Sequence, residues 1–240
     1  MEGDGVVELA VYGAPGELPE LGRGEAVVGG VLVTVSASEV RDDWAERWKR
    51  FHVPVVVGGR LRVRPPWEAV TAEPALIDLV IDPGRAFGTG SHSTTRLCLE
   101  LLLELAKGGA GGSLCDLGCG SGVLSIAAAR LGFSPVSALD FDPLAVQATR
   151  ANAADNGVML DSAKRLDLRG EPVPLADVVV ANLMRPLLLG VAGRMETHPR
   201  TLIASGLLDE EADEVAGAFA PLREAVRLSE GGWTALLLEL

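Results

Sequence analysis

Cysteine and histidine are scarce here, at three residues each in a chain of 240. Cys98, Cys115 and Cys119 form no CxxC pair, and only His52, His92 and His198 could add imidazoles. That argues against a zinc site and fits a reducing compartment. Positive charge is short as well: 21 Lys and Arg face 33 Asp and Glu, for a net charge of -12. A broad footprint on nucleic-acid phosphates needs clustered Lys and Arg, so direct nucleic-acid binding is not expected. The acidity fits solubility or a basic partner. No apolar run approaches the roughly 18 to 20 residues of a membrane span. The start, MEGDGVVELA, has neither the basic nor the apolar region of a signal peptide. The expectation is a cytoplasmic monomer without a membrane partner, without internal repeats and without low-complexity tracts.

What is present falls into two unequal parts. The length suits one core-forming domain and a small appendage. Residues 1–40 hold strand-like VVELAVY and VVGGVLVTVSA around a turn-rich stretch, a piece too small to bury a core alone. Residues 41–68 read as a linker: SEVRDDWAERWKRF as a helix capped by Ser38, with Trp44, Trp48 and Phe51 on one stripe, then strand-like PVVVGGRLRVRPPW. Residues 69–240 form the main domain. After ALIDLVID, helices and strands alternate from residue 93: STTRLCLELLLELAK, SLCDL, VLSIAAARLG, PVSALD, PLAVQATRANAADNG, AKRLDL, ADVVVANL, RPLLLGVAGRM, TLIASG and DEEADEVAGAFA, closed by the hairpin EAVRLSEGGWTALLLEL. Such alternation predicts an α/β fold, a mostly parallel sheet wrapped on both faces, with ligands at the carboxyl ends of its strands.

The chemistry gathers at LCDLGCGSGVLSIAAARLG, residues 114–132. Gly118, Gly120 and Gly122 make a turn between a strand and a helix, but Val123 stands where a dinucleotide fingerprint has its third glycine. Asp116 near this turn would repel a diphosphate and favour a cation. S-adenosyl-L-methionine, with its sulfonium and ammonium and no phosphate, fits. Glycine there lets the backbone approach a ligand where a Cβ would collide. Asp140 ends the next strand, where a carboxylate can accept from both ribose hydroxyls. Capping of neighbouring loops is the bland alternative for both acids. The cysteines around the turn read as small buried residues, and His92 as a hydrogen-bonding scaffold rather than a general base. Trp44, Trp48 and Trp67 read as packing, and DEEADE as a solvated helix start.

DPGRAFGTGSHSTTRLCLELL (82–102), the glycine turn, ALDFDPLAVQATRANAADNGV and VVVANLMRPLLL together resemble the ribosomal protein L11 methyltransferases (PrmA). The FGTGxHxTT segment is the most specific of the four. The resemblance covers about residues 40–240 and implies a Rossmann-like class I methyltransferase, with a seven-stranded, mostly parallel sheet and an antiparallel last strand. It implies S-adenosyl-L-methionine contacts from Thr95, Gly118, Asp140 and Asn182, a loop of Phe87, Gly88 and Thr89 over the adenosyl and methyl groups, and an adenine contact from Asp167. With Asp116, Gly120, Gly122 and Phe141 these complete the expected cofactor site, and Asn182, Phe87 and Thr89 are the expected catalytic residues. Residues 1–40 resemble only the later part of the family's α+β N-terminal domain. A missing opening strand and helix would affect the docking of a ribosomal protein, not methyl transfer.

The implied reaction is N-methylation of a lysine or α-amine of ribosomal protein L11, by in-line displacement at the sulfonium. Asn182 would orient the amine, and no residue stands out as a strong base. Alternatives are another protein or a small amine as acceptor, a non-catalytic S-adenosylmethionine-binding module, and a dehydrogenase, the last disfavoured by Val123 and Asp116.

Overall fold

Val178, Val179, Val180 and Ala181 are apolar without alternation, as a strand covered on both faces must be. In the structure they form part of one strand, Val178–Asn182, and are buried throughout, Val178 and Val180 toward one core and Val179 and Ala181 toward another. The structure, a computed structural model, describes residues 24–28, 31–35, 52–69, 75–84, 88, 90–109 and 111–240. The chain divides into two units, Met1–Arg47 and Trp48–Leu240. In the first, β1 (Gly24–Val28) and β2 (Val31–Val35) pair antiparallel. The single strand expected around VVGGVLV is thus two strands. The expected strand at VVELAVY and the helix carrying Trp44, Trp48 and Phe51 lie outside the described residues.

The second unit opens with β3 (Val55–Val57), β4 (Leu61–Arg64) and β5 (Ile77–Val80), a three-stranded sheet in which β3 and β4 run antiparallel and β4 and β5 parallel. The segment read as one strand is again two. Gly58 and Gly59 take φ of +56° and +63°, the left-handed pair that closes a tight hairpin. Val57, Leu61, Val63 and Leu79 from this sheet join the core around helix α1 (Ser93–Lys107), whose leucines at helical spacing are buried.

The main sheet comprises β6 (Leu114–Leu117), β7 (Val136–Asp140), β8 (Ser162–Arg165), β9 (Val178–Asn182), β10 (Thr201–Leu208), β11 (Arg223–Glu230) and β12 (Trp233–Glu239). Its order is β11-β12-β10-β9-β6-β7-β8. All neighbours from β10 to β8 are parallel, while β12 is antiparallel to both β10 and β11. The antiparallel strand is the last, as expected, but it lies inside the sheet and β11 takes the edge. Helices α2 (Val123–Arg130), α3 (Pro143–Asp155), α4 (Arg185–Ala192) and α5 (Ala212–Ala218) form the crossovers. Alternate residues of each central strand serve two cores. Leu114, Val178, Ile203 and Leu237 face α1 and α2, whereas Leu117, Val179, Leu202 and Leu236 face α4 and α5. TLIASG was expected to end at Gly206, but β10 continues to Leu208 through a bulge between Ser205 and Leu207. No helix of the described residues is long and apolar enough to cross a membrane.

Candidate functional site

The strand order reverses between β6 and β9, and at such a point the connections leave in opposite directions and open a crevice beyond the carboxyl ends. Gly118 follows β6, Asp140 ends β7, Asp167 lies just past β8 and Asn182 ends β9. Four positions far apart in sequence are therefore brought to one edge of the sheet. Gly118 and Cys119 donate their N–H groups to the Leu139 carbonyl at 2.8 and 3.0 Å, folding the turn onto β7.

Gly118, Gly120 and Gly122 have φ of +74°, +54° and +81°, a region where a Cβ is strained. Ligand approach was the expected reason for these glycines, and the structure adds an internal one. A Cβ on Gly118 would overlap Leu183 Cδ2, beside Asn182, and one on Gly122 would lie 2.8 Å from Thr149 Cγ2 of α3. The turn is packed against the neighbouring strand end and helix, and its conformation is set before any ligand arrives.

Asp116, 1% exposed, points under the turn. Its Oδ2 accepts from the Ser125 N–H at 3.1 Å and the Ser125 hydroxyl at 2.6 Å, while its Oδ1 has no partner among the described residues. Burial raises its pKa to about 6, against the lowering by the Ser125 bonds and helped by the negative charge of Asp140. Thr95, in the first turn of α1 and fully buried, also has no partner for its Oγ1 among the described residues. Buried polar atoms are rarely orphaned without a reason. An orphaned oxygen on the buried Asp116 carboxylate fits a cationic ligand group such as an ammonium.

Asp140 is 8% exposed and ties the turn together: Oδ2 accepts from Gly120 N–H and Oδ1 from Asp142 N–H, each at 3.0 Å. Each oxygen keeps a second lone pair, so the side chain caps the loop and retains acceptor capacity. Asp167 is differently placed. Both its oxygens are held at 2.8 Å by the Arg169 guanidinium, which pulls its pKa down to about 2. That guanidinium also lies 5.5 Å above the half-exposed Phe141 ring. The positions expected around an adenine are adjacent, with Arg169 between them.

The FGTG segment is described only at Gly88 and Gly90; Phe87 and Thr89 lie outside the described residues. Gly88, at φ +101°, accepts on its carbonyl from the Ser121 hydroxyl at 2.6 Å. Gly90 lies against Val63 of β4, where a Cβ would come within 2.8 Å. His92 caps α1 by accepting from the Thr94 N–H at 3.3 Å and meets Trp233 edge-on at 5.1 Å, a scaffold geometry. The three cysteines are buried; burial pushes the thiols of Cys98 and Cys115 up to about 12 and that of Cys119 up as well. None is a nucleophile at neutral pH. No cluster of metal-ligating side chains occurs among the described residues.

Five residues at this site escaped the sequence reading: Ser121, Ser125, Thr149, Asn152 and Gly206. Thr149 donates to the Gly120 carbonyl at 3.0 Å, and Asn152 donates to the Ser121 carbonyl at 2.8 Å. Gly206, at φ +86°, is the bulge of β10 in its pairing with β12, and a Cβ there would overlap the Leu183 carbonyl. The available signals were an Asn facing inward from a helix and a Gly inside an apolar strand.

The sheet order, the internal antiparallel strand and the glycine turn over a buried acid define a class I methyltransferase, a class whose cofactor is S-adenosyl-L-methionine. The family model described as ribosomal protein L11 methyltransferase (PrmA) matches residues 25–239, and the chain belongs to that family. The ribosomal protein L11 methyltransferase of Caldanaerobacter subterraneus subsp. tengcongensis is 37% identical over 216 residues, covering 88% of this chain and 69% of the relative. That of Pelotomaculum thermopropionicum is 41% identical, covering 83% and 66%. The chain thus spans about two thirds of the length of these relatives. A crystal structure of a ribosomal protein L11 methylase from Lactobacillus delbrueckii subsp. bulgaricus superposes with a TM-score of 0.71 at 27% identity, covering 78% of this chain and 98% of that one.

Proposed function

We propose that the chain transfers a methyl group from S-adenosyl-L-methionine to a lysine or α-amine of ribosomal protein L11. The observation that carries the cofactor site is the buried Asp116 carboxyl, two residues before Gly118, whose Oδ1 has no partner among the described residues. The names of the relatives support the substrate. The cofactor supplies a methyl group already activated on a sulfonium, so the work left to the protein is positioning. Asp116 and Thr95 hold the ammonium, Asp140 accepts from the ribose hydroxyls, and Phe141 and Asp167 flank the adenine. Gly88, with Phe87 and Thr89, closes over the methyl end, and residues 1–40 serve to recognise the substrate.

Asn182 orients the acceptor nitrogen through its side chain or carbonyl. A lysine, with reference pKa about 10.4, is neutral in only about one molecule in a thousand near pH 7.4. The site therefore has to desolvate the ammonium and let its proton leave to water.

Calorimetric titration with S-adenosylhomocysteine and with NAD tests the cofactor: heat with the first alone is expected, and binding of NAD alone overturns the reading. Mass spectrometry of ribosomal protein L11 from the same organism, incubated with the enzyme and labelled cofactor, tests the substrate, with methylated lysine or α-amine expected and unmodified protein refuting it. Asn182→Ala should lower kcat far more than cofactor affinity, because an interaction made chiefly in the transition state acts on the rate. Retained turnover at saturation would demote Asn182 to a binding residue.

A further inference from the structure

Ser121 is fully buried at the crest of the glycine turn, and its hydroxyl serves two masters. It donates to the Gly88 carbonyl at 2.6 Å and accepts from the Val123 N–H at 3.3 Å, the first residue of α2. The Ser121 carbonyl is held in turn by the Asn152 amide at 2.8 Å. The other end of that amide, Asn152 Oδ1, accepts from the Asp82 N–H at 3.1 Å, where β5 has just ended. One turn along α3, Asn156 grips Val80 twice, accepting from its N–H at 2.8 Å and donating to its carbonyl at 2.7 Å. Asn152 is 2% exposed and Asn156 9%. An inward-facing Asn is a poor choice for a helix interior, where its amide competes with the helix for backbone partners. Asn152 spends its amide on other segments, and Asn156, the C-cap of α3, divides its Nδ2 between Val80 and the Asn152 carbonyl of its own helix. These bonds tie Asp82 to α3, Gly88 to Ser121, and Ser121 to α3.

We propose that Ser121 is a positioning residue of the methyltransferase, fixing Gly88 to the cofactor turn while Asn152 fixes both Ser121 and Asp82 to α3. The two sides of the cofactor site are thereby built as one body. This rests on the reading of that site as the S-adenosylmethionine pocket. Gly88 leaves no slack in the contact, since a Cβ there would lie 3.1 Å from Ser121 Oγ and its φ of +101° strains any other residue. Removing the hydroxyl deletes a single oxygen from a buried place, so packing is almost untouched, but the Gly88 carbonyl loses its donor.

The test is S-adenosylhomocysteine binding by calorimetry, with thermal unfolding alongside, for wild type, Ser121→Ala, Asn152→Ala, Gly88→Ala and the double variant Ser121→Ala/Asn152→Ala. Ser121→Ala should weaken the product roughly five- to tenfold and also lower Tm by a few degrees, because the Gly88 carbonyl and the Val123 N–H stay buried without their partner. Gly88→Ala should weaken it comparably. The double variant should lose less than the product of the two single losses, because residues in one network are coupled. Wild-type affinity in Ser121→Ala, or losses that multiply, overturns the proposal. If wild type itself gives no heat, the cofactor reading falls and this inference with it. If the product binds but ribosomal protein L11 is not methylated, only the substrate reading falls, and the binding cycle still decides.

Discussion

The Asp116 carboxyl has one oxygen saturated by Ser125 and the other left for a ligand. Its pKa is raised from 3.8 to about 6, so the folded chain holds this proton more tightly than the unfolded chain. Stability linked to it is therefore fully present below pH 3.8 and is lost as pH rises through about 6, by roughly 3 kcal/mol in all. In Asp116→Asn this slope is removed: unfolding free energies measured against pH should shift in the variant's favour by about that amount across the same window. Cofactor binding obeys the opposite sign. An ammonium prefers the carboxylate, so S-adenosylhomocysteine affinity should fall about tenfold per pH unit below 6 in wild type and stay flat in Asp116→Asn. A flat wild-type profile would take Asp116 out of the ligand's reach. At Asp167 the Arg169 guanidinium occupies both carboxylate oxygens. Arg169→Ala removes this competitor for an adenine amine and should tighten product binding in a calorimetric titration. Weaker binding would mean that Arg169 itself contacts the adenosyl group.

At the scale of elements, three glycines separate conformational strain from close packing. Gly132, past the end of α2, has φ +98° with nothing near its Cβ position. Gly118 combines φ +74° with an overlap on a flexible leucine tip, and Gly206 combines φ +86° with an overlap on backbone. Alanine substitutions should therefore rank in cost from Gly132 through Gly118 to Gly206, by denaturant unfolding. The first should cost about 1 to 2 kcal/mol, the penalty of the left-handed region, and the last should leave no cooperatively folded protein. Stable Gly206→Ala would show that the β10 bulge is dispensable. The same elements show why some boundaries misled the sequence reading. Gly58 and Gly59 interrupt an apolar run by turning it into a hairpin, whereas Gly206 interrupts another only as a bulge. A glycine in a strand pattern is compatible with either, and the choice depends on the partner across the sheet.

At the scale of the molecule, residues 48–240 carry both hydrophobic cores and every described residue of the proposed cofactor site. A fragment of those residues should bind S-adenosylhomocysteine within about twofold of the whole chain, because affinity resides in contacts the fragment retains. Its activity on ribosomal protein L11 should drop, since residues 1–40 are assigned to substrate recognition. A fragment that methylates as fast as the whole chain would remove that assignment. Loss of product binding in the fragment would place part of the cofactor site in the first unit.

The alternation of apolar segments, the helix caps and the spacing of Gly118, Gly120 and Gly122 were sufficient by themselves to determine a doubly wound sheet with a glycine turn at its carboxyl edge. Each of those signals is local: a period of residues, a cap, a turn that only glycine can make. The strand order, which brings Asn182 beside Gly118, and the placing of β12 inside the sheet were decided by tertiary structure, because pairing partners lie across the fold and are chosen by which faces can be buried together. The same holds for the network of Ser121, Asn152 and Gly88. In sequence these are an ordinary serine, an ordinary helix asparagine and one glycine among 29. Their hydrogen bonds exist because folding removes them from water, where each polar group must find its partner in whatever neighbour the fold supplies.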